Sequence, residues 1–299
     1  IFSHLQNRSN DNNVEVLTVN QLPSVAKGKN SHSMTLKQMD AYYMADATDA
    51  PGMGTELGRN TDGTKRVPGY MSDKVRPKYK YCHIPNEVSL QFANREPRFY
   101  ASVAYNGTVW NMLNADKTLD EVPNVQVFYY RGNANGYQPS NEGWPATGIG
   151  IAKYVSPYDI VGAHNDVSRI KKKSDPAMRY AEILLIYAEA LNELSGSYQI
   201  KSWDGSTTYT IDRSIEEMKK GIQPIRIRAG LHDYSQDEYA SQDLLRDKLK
   251  RERQIELFAE GHRYFDLRRW MDAEVEESTI VYGYNMLCTE KMRDLFHTP

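Results

Sequence analysis

Cysteine is nearly absent from this 299-residue chain: Cys82 and Cys288 are the only two, too few for a disulfide scaffold or a cysteine-rich zinc site. No apolar run approaches 18 residues and the mean hydropathy is −0.68, which excludes a membrane-spanning helix. Charge of one sign is missing as well. The 37 basic and 39 acidic side chains leave a net −2, against a nucleic-acid-binding arm or a polybasic membrane anchor. The first residue is Ile1, not methionine, and no charged-then-apolar signal segment follows it, so the chain reads as a mature form or a piece of something longer. Phenylalanine is scarce at seven, whereas tyrosine reaches 21 alongside four tryptophans. Tyrosine and tryptophan join an apolar face to a polar tip, a chemistry that suits core edges and binding surfaces alike.

Turn-forming residues divide the chain. Residues 1–165 hold 23 of the 32 prolines and glycines, and the remaining 134 residues hold nine. The first part therefore reads as loops with short strands and the second, 166–299, as helices. In the first part Phe99, Ala101, Val103 and Tyr105 alternate with Tyr100, Ser102 and Ala104, a period-two pattern predicting a strand that ends in a hairpin turn at Asn106-Gly107. Val125, Val127 and Tyr129 predict another strand, closed by Arg131-Gly132. The long polar stretch from Gly132 to Gly150 carries Tyr137 and Trp144, so its length points to function rather than disorder.

The second part predicts a helix over Arg179–Leu194, with Asp175 as cap, Pro176 at the first position, and an apolar face of Tyr180, Leu184, Tyr187, Ala188, Leu191 and Leu194. Ala181, Ala188 and Ala190 keep its surface flat for a neighbour. A second helix runs from Ser214, with Glu217 as capping partner, to Gly230, and Pro224 should kink or shorten it. A third starts at Ser235 with Glu238 and continues through Trp270, whose indole closes the block as core. Starts 35 and 30 residues apart (Tyr180, Ile215, Leu245) approach the tetratricopeptide period without an evident sequence repeat.

The third helix places charge on its apolar face. Leu245, Leu249, Glu252, Glu256, Ala259 and Arg263 all fall within about 40° of Leu245 at 100° per residue. A buried unpaired carboxylate costs several kcal/mol, so each needs a partner, and Arg251, Arg253, Arg263, Arg268 and Arg269 are available nearby. Glu256 and Glu260 beside His262 resemble an acid/base pair. No nucleophile accompanies them, however, and they interleave with core positions, so Glu252, Arg253, Glu256, Glu260 and Arg263 read as a structural ion-pair network. His262 and Asp266 are four apart but lack a third ligand, so no metal is expected.

The blocks RYAEILLIYAEALNEL, IRIRAGL (Ile225 to Leu231) and RERQIELFAEGHRYFDLRRW (Arg251 to Trp270) resemble, in that order, the carboxyl-terminal domain of the SusD/RagB family, glycan-binding outer-membrane lipoproteins of Bacteroidetes. TLKQMDAYYMADA (Thr35 to Ala47) and NREPRFYASVAYNGTVW (Asn94 to Trp110) resemble its earlier landmarks, so the likeness spans about Thr35 to Trp270. Two family features are not in this chain: an amino-terminal helical half behind a lipidated cysteine, and a Gln-Asn-Pro-Gly-like tail. The resemblance implies a mainly α, SusD-like fold of tetratricopeptide-like helical hairpins plus a loop-rich region with short strands. It also implies a non-enzymatic receptor on the extracellular face of the outer membrane, with no cofactor. Such a receptor passes oligosaccharide to a SusC-like TonB-dependent transporter and touches the membrane only through a lipid anchor outside this chain. RagB-type relatives make peptide an alternative cargo, and a helical protein-interaction module is a further reading.

Sugars offer C–H faces to flat rings and hydroxyls to directional polar partners. The expected platform lies in the irregular part: Trp110, Trp144, Tyr130, Tyr137, and Tyr79 and Tyr81 with Arg76, Lys78 and Lys80 as donors. Each ring has a bland reading as packing within its own loop or core. Trp203, beside Asp204-Gly205, is expected at the surface, where it could serve the transporter contact. A glycoside hydrolase would need paired loop carboxylates, for which Asp116, Asp120 and Glu121 are the candidates.

Overall fold

The computed structural model describes residues 33–50, 53, 69–79, 84–111, 124–137, 144–153, 155–158 and 178–298. They form two compact units. The loop-rich unit gathers the described residues up to 44, from 48 to 158, and from 280 onward; the helical unit holds 45–47 and 178–279. Where the sequence pattern carries the helical part to the end of the chain, the structure instead returns the last twenty residues to the loop-rich unit. Leu36 N donates to Tyr282 O (3.0 Å), Tyr284 N to Thr147 O (2.7 Å) and Arg131 N to Cys288 O (2.8 Å).

In the loop-rich unit, helix α1 (Leu36–Ala41) starts at Thr35, whose hydroxyl accepts from Gln38 N at 3.1 Å. The segment from Phe99 is not the strand its alternation predicts. Pro97 occupies the first turn of helix α2 (Pro97–Ser102), and only Val103–Ala104 is extended, as β1. The helix wins because it buries Arg98, Phe99 and Ser102 on one face, and because charge fixes its start. Arg95 donates to Met39 O (2.7 Å) and Tyr42 O (3.0 Å), while Glu96 accepts from Tyr43 N (2.8 Å) and Arg98 Nε (2.6 Å). These buried charges tie α2 to the end of α1.

β1 pairs antiparallel with β4 (Gly150–Ile151), and β2 (Thr108–Asn111) with β3 (Asn124–Val127). Asn106-Gly107 therefore turns the chain from one ribbon into another rather than closing a hairpin. Gly107 takes φ +90° there, and Asn106 Oδ1 accepts from Tyr129 N at 2.7 Å. The core beneath is aromatic: Phe92, Phe99, Tyr105, Tyr284, Phe296 and His297 touch ring to ring. Helix α9 (Arg293–Phe296), at the end of the chain, supplies the last of these rings. His297 is sealed in, its Nδ1 2.9 Å from Arg293 O, and burial pushes its pKa down to about 4.

The helical unit begins with α3 (Tyr180–Asn192), capped by extended Arg179. Asp175 and Pro176, the expected cap and first residue, lie outside the described residues. The buried face is Ala181, Leu185, Ala188 and Leu191, turned from the expected one, and Tyr180 and Tyr187 are exposed. A helix with apolar residues on more than one face leaves such a choice open to its partner, and here the partner is α4 (Ile215–Arg228). Gly221 meets Leu184 and Ala188, and Glu217 meets Tyr187, so the two helices form an antiparallel hairpin. A Cβ at Gly221 would stand 2.4 Å from Leu184 O, so only glycine permits this approach. Ser214 caps α4, but the Glu217 carboxylate serves Tyr187 and Lys220 instead of completing a capping box. Pro224 lies exposed within an unshortened helix. Gly230 follows at φ +79°, the left-handed stop.

Between α3 and α4 an exposed hairpin projects, β5 (Tyr198–Lys201) against β6 (Thr208–Ile211). The expected long third helix is three. Ser235 and Glu238 make a complete capping box for α5 (Gln236–Ala240), Ser241 recaps α6 (Gln242–Glu256), and α7 (His262–Arg269) follows a break at Ala259 (φ +59°) and Gly261 (φ +81°). The charged stripe accordingly ends at Glu256, and Arg263 turns to Glu276 of α8 (Ala273–Glu277) at 3.2 Å.

Candidate functional site

The charged face of α6 is closed to ligand. Glu252 and Glu256 are fully buried. Arg226 of α4 reaches Glu252 at 3.2 Å while lying 3.9 Å over the Tyr234 ring. Glu256 receives Arg179 at 3.0 Å and Arg228 at 2.5 Å, and Arg179 also forks onto Glu260 through two contacts of 2.7 Å. Arg253 grips Asp266 through two bonds of 2.9 Å. The main partners of Glu252 and Glu256 thus come from the start of α3 and from α4, not from the third block's own arginines. The alternation of arginine and isoleucine in IRIRAGL, with one arginine per face, is the signal that pointed there. His262 turns to Glu182 (3.5 Å) and Asp266 to arginines, so this pair has no common ligand direction. Trp270 is half-buried rather than core. Its Nε1–H donates to Glu189 at 2.7 Å, and Arg269, Lys250 and Arg263 surround its ring. Two carboxylates with an open approach, as hydrolysis needs, are not found on this face; Asp116, Asp120 and Glu121 lie outside the described residues.

The aromatic candidates separate. Trp110 sits on an inward position of β2, 9% exposed, with its Nε1–H buried and lacking a hydrogen-bond partner among the described residues. Tyr130 is also buried, stacked on Phe128 at 5.7 Å and edge-on to Phe296 at 4.9 Å, and burial pushes its pKa to about 12. Neither ring offers a face to a ligand, which corrects their place in the platform. The strand alternation that put Trp110 beside a turn did not say which side of β2 faces inward. Tyr79 is half-buried at the end of a single 3-10 turn, and Arg76, its expected companion donor, is taken by Ile84 O and Asn86. Tyr81 and Lys80 lie outside the described residues.

Tyr137 and Trp144 are brought together. Their half-exposed rings meet edge to face, centroids 4.9 Å apart at 82°. The loop beneath Tyr137 is wired by Asn133 N to Tyr130 O (3.1 Å), Gly136 N to Asn133 O (3.0 Å) and Gly132 N to Tyr137 O (3.4 Å). Gly132 takes φ +91°, and a Cβ on Gly136 would fall 1.8 Å from Tyr130 O. On the other side, Trp144 precedes buried Pro145, whose carbonyl accepts from Gly148 N at 3.0 Å, and Thr147 Oγ1 donates to Met34 O at 2.5 Å. Two flat apolar surfaces at a right angle, fixed by backbone hydrogen bonds, can hold a ligand with an apolar face at little ordering cost.

The chain is similar to known proteins along nearly its whole length. The profile described as the SusD family matches residues 1–292. SusD-like protein P2 of Formosa agariphila is 37% identical over 123 residues, 40% of this chain and 21% of its own length. A SusD-like protein of Bacteroides fragilis is 24% identical, with a TM-score of 0.56 over 86% of this chain and 40% of that one. The solved protein BT4246 is 22% identical, with a TM-score of 0.63 over 90% of this chain and 39% of that one. The chain thus spans from a fifth to two fifths of the length of these relatives. The mainly α architecture is the fold of those structures. With nearly its whole length matched by the family profile, the chain belongs to the SusD family.

Proposed function

We propose that the chain is part of a non-enzymatic oligosaccharide receptor that captures glycan and passes it to a SusC-like TonB-dependent transporter. Its place is the extracellular face of the outer membrane, held by a lipid anchor outside this chain. The observation that supports this reading is the half-exposed Tyr137–Trp144 pair on its hydrogen-bonded loops, while Glu252 and Glu256 of α6 are buried in ion pairs. Isothermal titration of the chain with neutral oligosaccharides tests it. Trp144→Ala and Tyr137→Ala should each weaken binding at least tenfold (about 1.4 kcal/mol or more) with the melting temperature held. Unchanged affinity in both removes the site from this pair.

One observation favours a second reading, a peptide or protein-interaction role. The outer face of α3 leaves Tyr180, Ile183, Ile186 and Tyr187 exposed along one stripe, as helix-in-groove partners are. Peptide probes in the same titration, with Ile183→Asp as the variant, separate it from glycan binding.

A further inference from the structure

The most exposed large ring in the helical unit belongs to no site described so far. Trp203, at the tip of the β5–β6 hairpin, is 99% exposed. Ile211 at the base of β6 packs against the helical core, so the hairpin is anchored at one end. Its tip is wired internally. Ser202 N donates to Thr207 O (2.7 Å), Thr207 N to Ser202 Oγ (2.9 Å) and Gly205 N, at φ +71°, to Ser202 O (2.9 Å). Asp204 Oδ1 accepts from Ser202 Oγ (2.6 Å), Ser206 N (3.0 Å) and Ser206 Oγ (2.8 Å), whereas Oδ2 holds only Ser206 Oγ (2.9 Å). The bond from Ser202, then those from Ser206, lower the Asp204 pKa to about 2, so its carboxylate is ionised throughout the physiological range. The turn displays a fully exposed indole on a hydrogen-bonded backbone, next in sequence to a carboxylate oxygen with acceptor capacity to spare.

We propose that this turn is a glycan contact in its own right, taking one ring of a neutral polysaccharide on the Trp203 face with a sugar hydroxyl donating to Asp204 Oδ2. The proposal rests on the receptor reading above but concerns a different residue in a different unit. Size argues against a protein occupant. The indole with the half-exposed Tyr198, Ile200 and Tyr209 offers on the order of 600 Å², short of the roughly 800 Å² per side of a stable interface, while one sugar ring needs only one indole. Charge selects the polymer: the fixed anion at Asp204 disfavours uronate or sulfated chains and accepts hydroxyls from neutral ones.

Gel retardation of the chain in laminarin, galactomannan, arabinoxylan and alginate tests it, with Trp203→Ala, Trp203→Tyr and Trp144→Ala alongside. Because the indole makes almost no contact, Trp203→Ala leaves the fold intact. The expected result is retardation in at least one neutral gel, weakened about tenfold by Trp203→Ala and partly restored by Trp203→Tyr. Retardation identical in Trp203→Ala and the parent overturns the inference, and does so alone if Trp144→Ala still loses binding. An effect confined to alginate overturns it as well, as does intact glycan binding with loss of a co-purifying transporter. No retardation of the parent in any gel overturns it together with the receptor reading.

Discussion

The two units fill their interiors with different side chains. The loop-rich unit fills its centre with rings, packing Phe92, Phe99, Tyr105, Tyr284 and Phe296 around a histidine held neutral. The helical unit has an aliphatic core and pairs carboxylates with guanidinium groups across several helices, where the loop-rich unit buries the smaller set Arg95, Glu96 and Arg98. A ring needs only contact and can be left half outside where a ligand is wanted. A buried charge needs a specific partner, and losing that partner costs more than the pair contributes. Half-buried rings can therefore form a recognition surface, while the buried paired charges of the helical unit serve as framework.

That contrast can be broken in steps. The largest effect is expected from Glu256→Ala, which empties a fully buried carboxylate position, leaves Arg179 with the Glu260 carboxylate and takes from Arg228 its Glu256 carboxylate. A loss of about 3–5 kcal/mol should appear in urea unfolding, with hydrogen exchange rising in α3, α4 and α6. Next comes acid. The unfolded chain protonates His297 near its ordinary pKa of 6.5, but the folded chain does so only near 4, so stability falls as pH drops through that window, by on the order of 3 kcal/mol. His297→Gln should flatten this slope in melts recorded from pH 7 to 4. Gly221→Ala should cost about 1–3 kcal/mol by forcing α3 and α4 apart, read as a shifted denaturant midpoint. Smallest is Arg246→Ala, which removes an exposed bidentate pair with Glu193 and should cost under about 1 kcal/mol, less still in high salt.

Much of the helical unit was legible in the sequence because caps and periodicity are local. Ser214, Ser235 and Gly230 stand where the pattern put them. The misreadings share one cause, choices made by contacts distant in sequence. The apolar face of α3 was turned because more than one of its faces carries apolar residues and α4 selects among them. The strand expected from Phe99 became a helix because Pro97 and the Arg95–Glu96–Arg98 charges act against α1. The break after Glu256 needs positive φ at Ala259, a residue that gives no warning of it. At the candidate site the residue types were legible, since Tyr137 and Trp144 stood out in a long polar loop. Which rings face outward was not: burial of Trp110 and Tyr130 depends on β3 and on the returning segment 280–298.

The four tryptophans allow one direct test. Indole N–H resonances of the ¹⁵N-labelled chain, followed during titration with a neutral glycan, report each ring separately. Trp144 and Trp203 should move, while Trp110, sealed under its ribbon, and Trp270, bonded to Glu189, stay in place. Movement of Trp110 or Trp270 with Trp144 and Trp203 stationary would contradict the division of the molecule into charged framework and aromatic recognition surface.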